Sequence, residues 1–234
     1  MQYQLDRLFP ACGVANQYIS FVSGSRLDFA TFVGDTIPNY AIYSLDPAQC
    51  VSLYRFDANG NRTDNITDWA LKQFTAHYAD EIGKGKGARK ITKEVIFHYC
   101  YAVLHDPLYR EKYTLNLKRE FPRIPFYANF WQWAAWGETL MKLHIGYEAV
   151  EPFPLQRSDI PDVKARAAGQ QPKALLRADK DAGSITLDSE TTLRGIPPEA
   201  WDYKLGNRCA LEWVLDQHKE KKPKDPTIRE KFDT

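Results

Sequence analysis

The apolar residues of this chain change period at Asn65, and that change limits the folds open to it. Before it, "QYISFVSGS", "ATFVGDTIPNY", "AIYSLDPAQ" and "VSLYRFDANGNR" set aromatic and β-branched residues in short runs broken by Gly, Asn, Asp and Pro. That is the pattern of antiparallel strands. After it, Trp69, Leu71, Phe74 and Tyr78 recur near helical spacing behind a Thr67 cap, with Asp68 beside the positive helix end. Thr92 opens a second helix, with Val95, Ile96, Tyr99 and Val103 on its buried stripe. A third begins at Asp106-Pro107, since Asp caps and Pro is tolerated in the first turn, and runs through "LYREKYTLNLKRE" to the Phe121-Pro122 stop. The fourth, "ANFWQWAAWGETLMKLHIGYE", is capped by Asn129. No strand alternates with a long helix, which argues against a doubly wound sheet.

Residues 150–172 carry Pro, Gln, Asp and Ala with little periodicity and read as a connector. Beyond it, "KALLRADKDAGSITLDSETTLRGIPP" reads as strands with polar turns, followed by a short helix from Arg208 to about His218. The prediction is an α+β fold: an N-terminal antiparallel β layer over 1–65, a helical middle of about four helices over 66–155, and a smaller C-terminal α+β lobe of β-hairpin and helix over 156–234.

With 234 residues, 44% of them hydrophobic and 13% aromatic, the chain can bury one good core or two small ones. Thirty-one Lys and Arg face thirty Asp and Glu, so any basic surface is a local patch. Cys12, Cys50, Cys100 and Cys209 are scattered without C-x-x-C spacing and read as buried thiols of a reducing cytoplasm. No apolar run reaches the roughly 18 residues of a spanning helix, so no membrane partner is expected and the N-x-T sequons at Asn61 and Asn65 read as chance matches.

The motifs offer little chemistry. "GKGKGARK" from Gly83 contains G-x-G-x-x-A, but that loop holds phosphates only after a buried strand, and the residues before it are helical and acidic. It reads first as a linker between helices and second as a basic loop touching a phosphate backbone. His98 and His105, seven apart, suit packing better than a metal pair, and no G-x-S-x-G, H-E-x-x-H or Cys-His dyad is present. Trp131, Trp133 and Trp136, with Phe130 and Tyr127, read first as core packing and second as a stacking platform for bases.

"IFHYCYAVLHDPLYREKYTLNLKREFPRIPF" resembles a block of the C-terminal target-recognition region of type ISP restriction-modification enzymes and related large single-chain restriction enzymes. "WDYKLGNRCALEWVLDQHKEKKPKDP" resembles a second block, and "DNITDWAL", "FPRIPF", "VEPFPL" and "LRGIPPEAWDYKLGNR" match in order, so the resemblance spans Pro38 to Pro226. It implies a piece of a multifunctional protein in which a nuclease, an ATP-driven motor and an adenine methyltransferase precede a domain that reads double-stranded DNA, with further chain expected beyond Thr234. The Asn-Pro-Pro-aromatic tetrapeptide, a strand-borne glycine loop for S-adenosylmethionine and a P-loop are all missing here. S-adenosylmethionine, ATP and Mg are therefore expected only in the other domains, and this chain is expected to hold no cofactor and to catalyse nothing.

Recognition needs cations and amides on phosphates and a few polar side chains on base edges. The candidates are the loop residues Lys84, Lys86, Arg89 and Lys90; the segment carrying Arg157, Lys164, Arg166, Gln170, Gln171, Lys173 and Arg177; and the turn of Tyr203, Lys204, Asn207 and Arg208. Bland readings stand beside them. Asn207 and Arg208 also suit a cap for the last helix, Lys118 and Arg119 a solvated helix end, and Arg123 a buried ion-pair partner between helices. The competing function is a docking scaffold for the adjacent methyltransferase domain, for which near-neutral charge and six Trp are equally suited.

Overall fold

The computed structural model describes residues 5–11, 13–22, 28–39, 48–205 and 208–219, with the side chains of Lys86, Leu205 and Arg208 outside the described part. The chain divides into two compact units, Met1–Val150 and Glu151–Thr234.

The first unit opens with a short helix α1 (Leu5–Leu8), then strands β1 (Tyr18–Phe21), β2 (Thr31–Gly34) and β3 (Gln49–Ser52) in the order β2-β1-β3, all antiparallel. Every residue of β1 is buried, so the strand is covered on both faces. Strands β4 (Tyr54–Phe56) and β5 (Arg62–Asp64) form a separate hairpin. Asn16, itself buried, ties these pieces together: its amide donates to the carbonyls of Leu8 and Tyr54, and its Oδ1 accepts from the Tyr54 and Gln17 amides. All of its polar capacity is spent on backbone groups of α1, β4 and the approach to β1.

Helices α2 (Asp68–His77), α3 (Ala79–Ile82), α4 (Lys93–His105), α5 (Pro107–Lys112), α6 (Thr114–Leu117) and α7 (Phe130–Ile145) follow. Thr67, Thr92 and Asp106 cap as the sequence predicts, accepting from the amides of Ala70, Val95 and Leu108. Two expectations about helix ends and continuity are corrected. The third helix is not continuous: it breaks at Tyr113, where the Thr114 hydroxyl donates to the carbonyls of Arg110 and Glu111 and competes with the helix's own bonding. Asn129 does not cap α7 with its side chain. It sits left-handed at φ 64°, and the orphan amides of Asn129 and Phe130 are taken by the Glu81 carboxylate at 3.0 and 2.7 Å.

Helices α4 and α7 cross so closely that a Cβ on Gly137 would lie 1.8 Å from the His98 carbonyl oxygen. Around that crossing the β layer and the helices share one core, in which Ile19, Val33, Tyr99, Val103, Phe130 and Met141 are nearly inaccessible. Buried tyrosines fasten the "FPRIPF" segment to it. Tyr99 donates to the Pro125 carbonyl and accepts from the Tyr127 amide, Tyr78 donates to the Tyr127 carbonyl, and Tyr109 donates to the Arg123 carbonyl. Arg123 itself is not a buried partner between helices: its guanidinium is exposed and pairs with Glu120 three residues back.

The second unit is built on a four-stranded antiparallel sheet of β6 (Gln156–Asp159), β7 (Ala174–Asp179), β8 (Ser184–Asp188) and β9 (Thr191–Arg194), ordered β6-β9-β8-β7. Strand β6 and helix α8 (Val163–Ala167) occupy the stretch the sequence presents as a connector, because a short polar run such as "QRSD" carries no apolar alternation. Helix α9 (Pro198–Asp202), the hairpin of β10 (Lys204–Leu205) and β11 (Arg208–Cys209), and helix α10 (Ala210–His218) complete the unit. Its small core holds Ile185, Ile196, Trp201 and Cys209.

Candidate nucleic-acid interface

The basic loop of the first unit is a closed turn. Gly83 and Gly85 adopt φ of 77°, which suits glycine, and the Arg89 amide reaches back to the Ile82 carbonyl at 2.9 Å. A helix precedes this loop where a dinucleotide fold needs a strand. The Arg89 guanidinium lies 3.8 Å above the Trp131 ring, whose Nε1 donates to the Glu81 carbonyl. Such stacking contributes about 0.5–1 kcal/mol at an exposed site. Lys84 and Lys90 are exposed without ion pairs among the described residues, and the Lys86 side chain lies outside the described part.

In the second unit the candidates fall into two groups. Arg157 is paired with Asp159, and the Arg166 guanidinium meets the buried Glu190 carboxylate, which also accepts from the Asp162 amide. Arg166 thereby holds α8 to the β8–β9 turn and lowers the pKa of Glu190. Lys164, Gln170, Lys173 and Arg177 are exposed, and none of the three cations has an ion pair among the described residues. Arg177 follows Leu176, whose φ of 47° marks a bulge where β7 shifts register against β8. Left-handed backbone at a non-glycine residue costs on the order of 1–2 kcal/mol and re-aims the strand that follows.

Tyr203 and Lys204 are exposed at the start of the β10–β11 hairpin. Asn207 and the Arg208 side chain lie outside the described residues, and the N-cap position of α10 is Cys209. In the second unit, Arg194 at the end of β9 is an exposed cation outside the sequence candidates, again without an ion pair among the described residues. The alternation of "TTLRG" carried the signal, since Leu193 faces the core and its neighbour must face away.

The tryptophans divide. Trp131 is half-buried over Glu81, Trp133 packs on Tyr127, and Trp136 is 50% exposed. Trp136 and Leu143 lie on one side of α7, and Tyr147 just beyond it is also exposed.

No arrangement resembling an activated nucleophile appears among the described residues. Burial raises the Cys50 and Cys100 thiols to about 11 and about 12, so neither is a thiolate at neutral pH. Cys50, Cys100 and Cys209 are free and at least half-buried, while Cys12 is outside the described residues. Burial, with Arg110 and His144 nearby, lowers His105 to about 3, and its Nε2 has no partner among the described residues. No group of His, Cys, Asp or Glu there could hold a metal, and no described helix is long and apolar enough to cross a membrane.

The whole chain, residues 1–234, matches the model of the type ISP C-terminal specificity domain. The chain belongs to that family. A chain in a cryo-EM structure of a DrdV–DNA complex is 50% identical over all of the specificity domain described here, with a TM-score of 0.82. The domain spans 23% of that chain. Two further solved structures share the fold: a nuclease-deletion mutant of the type ISP restriction-modification enzyme LlaGI in complex with a DNA substrate mimic (24% identity, TM-score 0.67, 94% of this domain and 18% of that chain), and the ATP-dependent type ISP enzyme LlaBIII bound to DNA (22% identity, TM-score 0.69, 96% and 14%). A search of curated proteins finds no match.

Proposed function

We propose that this specificity domain recognises a double-stranded DNA sequence for a type ISP-like restriction-modification enzyme, whose other domains methylate adenine, translocate and cleave. The observation that carries the reading is the likeness, over its full length and at 50% identity, to a chain solved in a complex with DNA. The charges fit this role. Lys84 and Lys90 in one unit and Lys164, Lys173 and Arg177 in the other are exposed and unpaired among the described residues, as phosphate contacts require. Arg157 and Arg166 are held by carboxylates and serve better as braces for the loops around them. On this reading the domain has no catalytic role, and S-adenosylmethionine, ATP and Mg act in other parts of the parent protein.

Equilibrium binding to duplexes over a salt series tests the reading. A steep fall of affinity with salt, together with preference for one sequence over its scrambled versions, supports it. Affinity independent of salt, or equal on all duplexes, overturns it.

A second reading stands beside the first. We propose that the exposed apolar residues Trp136, Leu143 and Tyr147 dock the first unit on an adjacent methyltransferase domain of the parent protein. Trp136→Ser should weaken binding to that domain without changing duplex affinity.

A further inference from the structure

The sheet of the second unit presents two unlike faces. Cross-strand partners point to the same side, so the register assigns each residue. One face carries the row Arg157, Leu193, Ile185 and Ala178, of which the last three pack in the core. The opposite face carries the row Ser158, Thr192, Thr186 and Arg177, one residue from each strand, and beside it the row Gln156, Arg194, Ser184 and Asp179. No apolar side chain stands in either row: Gln156, Arg177, Asp179 and Arg194 are exposed, Ser158, Thr186 and Thr192 are half-buried, and Ser184 is buried.

We infer that this face grips the phosphodiester backbone of a duplex, with Arg177 and Arg194 as its charged contacts and the hydroxyls of Ser158, Thr186 and Thr192 as donors between them. The inference rests on the DNA-binding reading above and gives it a surface. Elsewhere in this unit, arginines near acids are neutralised, Arg157 by Asp159 and Arg166 by Glu190. On this face, Arg177 and Arg194 are exposed and have no ion pair among the described residues, and the three hydroxyls have no hydrogen-bond partner there.

The acids at its edges are already committed. Asp179 accepts from the Ala182 amide, and Asp188 from the amides of Glu190 and Thr191, which lower its pKa. Accepting amide hydrogen bonds does not cancel their charge, but neither acid pairs with Arg177 or Arg194 among the described residues. The strand spacing and rise put the two arginine Cα atoms about 12 Å apart, comparable with the width of a major groove. The left-handed Leu176 and the bulge at the start of β7 fix how Arg177 leaves the strand. Arginine suits this role, since its planar fork meets phosphate oxygens in pairs.

The test uses the whole 234-residue chain, with fluorescence anisotropy on labelled duplexes over a salt series and circular dichroism to check folding. The double variant Arg177→Gln/Arg194→Gln should lose about tenfold in affinity on every duplex. Its log–log salt slope should flatten by about 1.8, at about 0.9 for each phosphate contact. Arg177→Lys/Arg194→Lys should recover most of the slope. Independently of any variant, saturating duplex should protect both arginines from dicarbonyl modification, read by mass spectrometry.

Unchanged affinity and slope in the Gln variant, or unprotected arginines in a chain that binds duplex, overturns the assignment of this face while leaving the DNA reading intact. A loss confined to one base position overturns the backbone assignment. A wild-type chain that binds no duplex overturns both.

Discussion

The Arg166 guanidinium closes over the carboxylate of Glu190, whose side chain is only 5% exposed, 24 residues further along the chain. The contact joins α8 to the β8–β9 turn. Arg166→Gln should therefore lower the melting temperature of the domain at pH 7, because Glu190 keeps its burial and loses its partner. The Glu190 pKa is lowered in the folded state, chiefly by Arg166. Its stabilisation is therefore present above the unfolded carboxyl value of about 4.3 and lost as pH falls through the folded value. Thermal melts of both proteins over a descending pH series should show their largest difference at pH 7 and a shrinking difference as the pH falls below the unfolded carboxyl value. A constant difference would disprove the pairing.

Gly137 tolerates no side chain where α7 crosses α4, since the obstacle is the His98 backbone carbonyl, which has no rotamer to change. Gly137→Ala should lower stability by about 1–3 kcal/mol or more, visible as a reduced midpoint in urea. A neutral or stabilising outcome, as expected from helix propensity alone, would show that the helices separate freely.

Tyr99 Oη both donates to the Pro125 carbonyl and accepts from the Tyr127 amide. Tyr99→Phe strands two backbone groups, one of them an amide, and should cost about 1–3 kcal/mol. Hydrogen exchange at the Tyr127 amide should speed up in the variant. Unaltered exchange would mean the hydroxyl is not its protecting partner.

His105 is held neutral, its pKa lowered to about 3 first by burial and then by Arg110 and His144. Unfolding raises that value toward about 6.5, so its contribution is complete above the unfolded value and is lost as pH falls below it. Between pH 7 and pH 5 the loss should be about 2 kcal/mol. His105→Phe should flatten this part of the urea-derived stability profile. An identical slope in both proteins would place the titration elsewhere.

What was legible in the sequence was local. Thr67, Thr92 and Asp106 each cap the helix beginning at the next residue, so residue type and position sufficed. The cap of α7 comes from Glu81, 48 residues before Asn129, and no spacing rule reaches that far. Strand β6 is defined by pairing with β9, more than thirty residues on, and its own residues carry no alternation. The same limit applies to the candidate interface. The sequence marked Arg157, Arg166 and Arg177 alike, and only the fold separates the two that face acids from the one that faces away. For Arg194, the alternation of "TTLRG" indicates only that it faces away from Leu193, and the neighbours that surround it come from β6 and β8.

Glu81 serves two masters: its carboxylate seats the first turn of α7, and its carbonyl holds the indole on which Arg89 rests. The basic loop and the longest described helix are therefore both tied to one residue. A substitution at Glu81 removes the seat of the helix's first turn and disturbs the shelf under Arg89 at one stroke, so the loop's cation and the helix start share a single anchor.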